Sequence, residues 1–453
     1  MVSSKRSLDI YFSADCNISC GYCYISKNKR CMTEYNARIR ESLADGSFAA
    51  NVKTGVPAER NPIDFIGLWG AEPTLNLKAG AGFVRELLDY YKPRTLFMST
   101  NAIAGIDAVS ILADAAIEYN RTRGDPSRFV KLIIQFSLDG PAWINDVSRA
   151  KGAAANTLKV AREYAAKYSN NPFMRGRINN KATLTFANIR AILDSPEGVR
   201  GYCQFFIDAE RDVKQSARGN AIEILLTNGP TLVTPGGYSV DDGRTYAEYL
   251  RGLRALLLEG MGDSMDLTPT SIGLIRDFVN IGRLQFSRGM GTCSAGNRAI
   301  AVDSQGNLYS CHRVYSNNMF ESNKELARMQ GAKSGSERDA VRLEYVCSAH
   351  HEFEESRRHF WDTMLISTAS CGQCDKKYLY DKAWRDLLYL TSGCMNCHVG
   401  SCDDVTGDIM IPSNEYIKLM GNGALEELIA MESDRRRLQK TGRKEAQARH
   451  ADS

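Results

Sequence analysis

The sequence predicts an α/β protein built on a parallel sheet, because apolar strand-like runs alternate with helical patterns over its first 210 residues. A second observation sets the remainder apart. Beyond residue 290 the alternation gives way to short strands, a polar insert at 316–345 and eight of the chain's 13 cysteines. A smaller cysteine-rich α+β unit is therefore expected after the sheet.

Taken in order, the strand candidates are residues 8–12, 65–69, 95–99, 132–138, 182–186 and 204–207. Helical patterns lie between them, for example at 82–91, 108–119 and 153–168. Six βα units are too few for a complete eight-stranded barrel, so a partial barrel and an open doubly wound sheet both fit. Residues 208–240 are rich in Gly, Pro, Asn and Asp and read as a connection. Helices are expected at about 244–260 and 271–287, bridging to the second unit across a boundary near 235–290. The resulting division is 1–235 for the sheet, 236–290 for a helical bridge, 291–432 for the cysteine-rich unit and 433–453 for a basic tail. That tail, with Arg435, Arg436, Arg437, Lys440, Arg443 and Lys444, reads as a solvated helix or a disordered end.

Composition narrows the function classes. A net charge of +4 over 453 residues gives no basic footprint for nucleic acid, so no nucleic-acid partner is expected. No apolar run approaches the roughly 18–20 residues that span a bilayer. The first ten residues lack the apolar core of an export signal, which makes a cytoplasmic location the expectation. In a reducing compartment, clustered cysteines bind metal more often than they form disulfides.

The first cluster is Cys16-Asn-Ile-Ser-Cys20-Gly-Tyr-Cys23, directly after the first strand. Three soft thiolates on a tight loop suit three irons of a cubane cluster, leaving one iron open for an exogenous chelator. A zinc site is the competing reading, although zinc sites usually pair two CxxC elements or add histidines. Cys31 falls outside the spacing and reads as a free thiol, and Cys203, placed at the opening of the sixth strand, reads as a core residue.

This CxxxCxxC element, with Tyr22 as the aromatic before the last cysteine, resembles the motif of the radical S-adenosylmethionine (SAM) superfamily over roughly residues 6–210. The resemblance implies a partial (β/α)6 TIM-type barrel and a 4Fe–4S cluster on Cys16, Cys20 and Cys23. It also implies reductive cleavage of SAM to a 5′-deoxyadenosyl radical that abstracts hydrogen. Gly70-Ala71-Glu72-Pro73 looks like the family's GGEP motif with one Gly replaced by Ala, and Glu72 would accept from the methionine ammonium. Were a positive φ required at Ala71, it would be strained. Ser99-Thr100-Asn101 and Ser137-Leu138-Asp139 look like the polar strand ends that contact SAM, and Arg149 like the arginine near its carboxylate. Capping of the following helices by these Ser, Thr, Asn and Asp side chains is the alternative.

Cys293, two short strands turning at Gly306, and Cys311 resemble the SPASM domain, whose auxiliary 4Fe–4S clusters accompany enzymes that modify peptides and proteins. Cys371 and Cys374 match its CxxC element, but 19 residues then intervene before Cys394, Cys397 and Cys402, a departure from the usual spacing. With Cys347 these make eight thiolates, enough for two auxiliary clusters. In place of Cys347 the resemblance also allows His350, His351 or His398 as the ligand, or an open site on one auxiliary cluster, and two structural zinc sites are the competing reading. His312, following Cys311, occupies the place where sulfatase-maturing relatives carry an aspartate base, and is the candidate catalytic residue.

The resemblance implies maturation of a ribosomally made peptide or protein by crosslinking, oxidation or epimerisation. Cys16 stands too near the start for the leader-binding domain that many relatives carry. A separate leader-peptide recognition protein is therefore expected, or docking of the leader on the barrel, with a flavodoxin or ferredoxin-type electron donor. The alternatives are a small-molecule dehydrogenase using the same clusters, and a non-catalytic iron–sulfur or zinc scaffold or electron carrier.

Overall fold

The computed structural model describes residues 6–23, 29–59, 62–226, 231–232, 299–306, 308–309 and 345–347, together with 245, 248, 249, 252 and 256. The chain begins with strand β1 (Arg6–Ser13), helices α1 (Lys29–Ala44) and α2 (Ser47–Gly55), then β2 (Ile63–Gly70) and α3 (Leu77–Tyr91). β3 (Thr95–Thr100), α4 (Gly105–Arg121), β4 (Lys131–Ser137), α5 (Ala142–Ser148) and α6 (Ala153–Tyr168) follow. β5 (Gly176–Lys181), β6 (Thr183–Leu184), α7 (Phe186–Asp194), α8 (Gly198–Ser216) and β7 (Ile222–Leu225) come next. β8 (Thr231–Leu232), β9 (Ala299–Val302), β10 (Leu308–Tyr309) and β11 (Tyr345–Cys347) complete the described strands.

Seven strands run parallel in the order β9-β1-β2-β3-β4-β5-β7, and β10 and β11 extend the β9 edge in antiparallel fashion. The short pair β6–β8 forms a separate ladder. The protein is thus α/β with a parallel seven-stranded sheet, and Ala299–Val302, far along the chain, is an integral strand beside β1.

The pleat explains the layering. Leu8, Ile10 and Phe12 alternate with Ser7, Asp9 and Tyr11, and the first set joins Ile66, Leu68, Leu96, Met98, Leu132, Ile134, Phe136 and Ile178 in one core. Onto this face pack Phe83, Val84 and Leu87 of α3, Leu112 and Ala116 of α4, Val160 and Tyr164 of α6, and Val213 of α8. The helices lie side by side in the sequence α1–α3–α4–α6–α8. The opposite face carries half-buried Phe65, Trp69, Ser99, Gln135, Ser137, Asn179 and Lys181. Burying Leu8, Ile10, Phe12 and their partners contributes about 1.5–3 kcal/mol per large side chain, which fixes the register.

Two expected strands are corrected. Residues 204–207 lie inside α8: Val199, Tyr202, Cys203, Phe206, Ala209 and Val213 are buried at helical spacing, so the 3.6-residue period overrides the local Phe-Phe-Ile run. Cys203 accordingly opens no strand but sits buried in that helix. Residues 182–186 hold only the two-residue β6 and the start of α7, which a capping box at Thr185 and Asn188 begins. The true fifth strand, Gly-Arg-Ile-Asn-Asn-Lys, is masked in sequence by its polar alternate positions. The sixth parallel partner of β1 through β5 is β7, inside the segment read as a connection.

Residues 245, 248, 249, 252 and 256 are helical, as expected for a helix at 244–260, and Tyr249 packs edge-on against Tyr202. The expected helix at 271–287, Cys293, Cys311, His312, Cys371, Cys374, Cys394, Cys397, Cys402 and the tail lie outside the described residues. Cys347 is described as backbone only, pairing with Leu308.

Candidate functional site

The Cys16–Cys23 loop leaves the carboxyl end of β1, at the edge of the sheet where parallel α/β folds build their sites. Local bonds shape it: the Cys16 amide donates to Asp15 Oδ1 at 2.8 Å, and the Cys23 amide to the Cys20 carbonyl at 3.2 Å. The Gly21 amide donates to the Ser148 carbonyl at 3.0 Å, docking the loop on the end of α5. All three cysteines are free; Cys20 is buried, and Cys16 and Cys23 are half-buried. Burial pushes the Cys16 thiol up to about 12, with Glu72, Cys20 and Cys23 adding to the rise. Burial raises the Cys20 thiol as well, partly offset by the Arg149 guanidinium.

The end of β2 meets the loop at Gly70. Its φ is +133°, and a Cβ there would lie 2.0 Å from the Ser13 carbonyl oxygen, so only glycine fits. Ala71 has no positive φ, and its amide donates to the Ser13 carbonyl at 2.9 Å. Ala71 therefore carries no such strain: the position that demands glycine is Gly70.

Glu72 is 1% exposed and acts as a hub. Its Oε1 accepts from the Thr74 amide at 3.2 Å, Thr74 Oγ1 at 2.5 Å and Thr100 Oγ1 at 2.7 Å; its Oε2 accepts from the Asn101 amide at 2.8 Å. Its own amide donates to the Asp15 carbonyl at 2.9 Å. Burial raises this carboxyl, while the bonds from Asn101, Thr74 and Thr100 pull the other way. From the end of β3, Asn101 reaches onward: Nδ2 donates to Asn17 Oδ1 at 2.8 Å and lies 3.6 Å from Cys16 Sγ.

Asp139, just past β4, is the second hub and has no exposed surface. Its Oδ2 accepts from the Tyr22 hydroxyl at 2.5 Å and Arg149 Nε at 2.8 Å, and its Oδ1 from Arg149 Nη2 and the Thr183 amide, both at 2.8 Å. The Asp139 amide donates to Asn145 Oδ1, and its carbonyl accepts from Tyr202 Oη. Arg149 Nη1 lies 4.0 Å from Cys20 Sγ, and the guanidinium sits 5.5 Å from the Tyr22 ring centroid. A bidentate buried pair of this kind costs roughly 3–5 kcal/mol to break from one side.

Of the residues expected around the cysteines, Tyr22, Gly70, Glu72, Thr100, Asn101, Asp139 and Arg149 come together at this edge. Ser99 and Ser137 do not join the two hubs; the pleat turns them to the half-buried face. Asn17, Asn145, Thr183 and Tyr202 belong to the network and were missed. Three of them act through a backbone atom or on one, which leaves no signature in sequence.

Among the described residues, no group of three His, Cys, Asp or Glu side chains is drawn close enough to hold a metal ion. In chemical type the three thiols are the soft donors that iron–sulfur clusters use. All three lie on one loop, and N–H groups of Asn101 and Arg149 face the Cys16 and Cys20 sulfurs. Among the described residues no helix is long and apolar enough to cross a membrane.

No protein-family model matches the chain, and no curated protein matches it either.

Proposed function

We propose that this chain is a radical SAM enzyme with a partial (β/α)6 barrel and a SPASM-like extension, acting in the cytoplasm on a peptide or protein substrate. One observation carries the reading: a CxxxCxxC loop at the carboxyl edge of a parallel sheet is tied to the ends of the next three strands. Those ties run through Gly70, Glu72, Asn101 and Asp139. Among the described residues the core helices α3, α4, α6 and α8 pack on one face of the sheet, and the other face carries polar and aromatic side chains, which supports a curved barrel-like sheet over a doubly wound one.

Cys16, Cys20 and Cys23 would hold the cluster, and a bound 4Fe–4S cluster would supply the electron for reductive cleavage of SAM. Asn101 and Arg149 direct N–H groups at the Cys16 and Cys20 sulfurs, where they favour thiolate charge. Tyr22 and Gly21 pin the loop to the end of β4 and to α5. Auxiliary clusters on Cys293, Cys311, Cys347, Cys371, Cys374, Cys394, Cys397 and Cys402, and a catalytic role for His312, belong to the same proposal. So do a leader-recognition protein and a flavodoxin or ferredoxin-type donor.

The test is anaerobic reconstitution with iron and sulfide, followed by dithionite and SAM. Release of 5′-deoxyadenosine supports an enzyme. Tightly bound zinc with no SAM cleavage supports the scaffold reading instead.

A further inference from the structure

We propose that Asp139 is a positioning residue that clamps the Cys20 end of the cysteine loop before any cofactor arrives; the inference deepens the reading above and rests on it only for what the loop holds. The carboxylate has no exposed surface, and both oxygens are occupied by donors of the chain itself: Tyr22 Oη, Arg149 Nε, Arg149 Nη2 and the Thr183 amide. A carboxylate offers about four lone-pair sites, and four donors fill them, which leaves none for an incoming ligand.

Two of those partners touch the cysteine loop. Tyr22 stands between Cys20 and Cys23, and the Arg149 guanidinium, fixed by its two bonds to Asp139, extends Nη1 towards Cys20 Sγ. Arg149 also closes α5, whose Ser148 carbonyl accepts the Gly21 amide. Asp139 therefore holds the loop twice, through a phenol and through the arginine beside the sulfur. Asn145 and Tyr202 in turn hold the Asp139 backbone in place. The other end of the loop has a separate tether, from Glu72 through Asn101 to Asn17 and Cys16.

The test is hydrogen exchange by mass spectrometry on the metal-free, full-length protein, comparing Tyr22→Phe and Asp139→Asn with the parent. Tyr22→Phe keeps the Asp139–Arg149 pair and so keeps the fold. It removes one charge-assisted bond, and exchange in the 15–23 segment, including the Gly21 amide, is expected to rise at least tenfold, equivalent to about 1.4 kcal/mol. Amides of β2 and β3 should keep their parental rates, which a general loss of stability would not allow. Iron uptake by Tyr22→Phe should be slower than by the parent. Parental exchange in the 15–23 segment of both variants overturns the proposal, as does an equal rise across β2 and β3 in Tyr22→Phe. If the parent itself takes up no iron, the cluster reading fails, while the exchange result still decides the clamp.

Discussion

Tyr22 and Asp139, 117 positions apart, are joined by a 2.5 Å hydrogen bond from the phenol to the carboxylate. This contact ties the loop after the first strand to the end of the fourth. Together with Glu72, which joins the second strand end to the third, it makes the cysteine loop a fixture of the sheet.

Gly70→Ala is expected to destabilise the protein by at least about 3 kcal/mol in urea unfolding, because the new Cβ meets the Ser13 carbonyl oxygen and φ stays positive. Ala71→Gly should cost no more than about 1 kcal/mol. Equal effects of the two changes would contradict the assignment of the strained position.

Glu72→Gln puts an amide NH2 where donors already converge from Thr74, Thr100 and Asn101. A loss of roughly 1–3 kcal/mol is expected, since at least one buried donor loses its acceptor. Chemical denaturation measures it, and an unchanged midpoint would remove Glu72 from its hub role.

Cys203 supplies a pH prediction away from the site. Burial pushes its thiol from 9.0 up to about 12. A raised folded-state pKa contributes stability that is fully present below pH 9 and is lost as pH rises towards 12, at about 1.4 kcal/mol per unit. Cys203→Ala lacks that loss. The stability gap between parent and variant should therefore narrow between pH 9 and 12; a constant gap across that window would contradict the burial of Cys203.

Much of this was legible in sequence where residue type and position carry the signal together. The β1–β4 runs are apolar and bounded by polar strand ends, and α6 was delimited at both ends, since Ala153 to Tyr168 repeats small and aromatic residues at helical spacing. The misread strands show the limit. Residues 204–207 look extended by themselves but belong to a helix of 19 residues, and Gly176–Lys181 buries Gly176, Ile178 and Asn180, a face with a single large apolar side chain that shows no strand-like apolar run. At the site, Cys16, Tyr22, Glu72, Asp139 and Arg149 stood out as types at motif positions. Their pairing did not, because contacts such as Thr183 amide to Asp139 depend on backbone placed by the whole sheet.

The most direct measurement of the central claim is SAM turnover by the anaerobically reconstituted full-length chain and its Cys16→Ala, Cys20→Ala and Cys23→Ala variants. The parent is expected to hold about 12 irons, as three four-iron clusters, and to release 5′-deoxyadenosine in a dithionite-dependent reaction that each variant abolishes while remaining folded. Zinc in place of iron, or 5′-deoxyadenosine production that survives in any of the three variants, would contradict it.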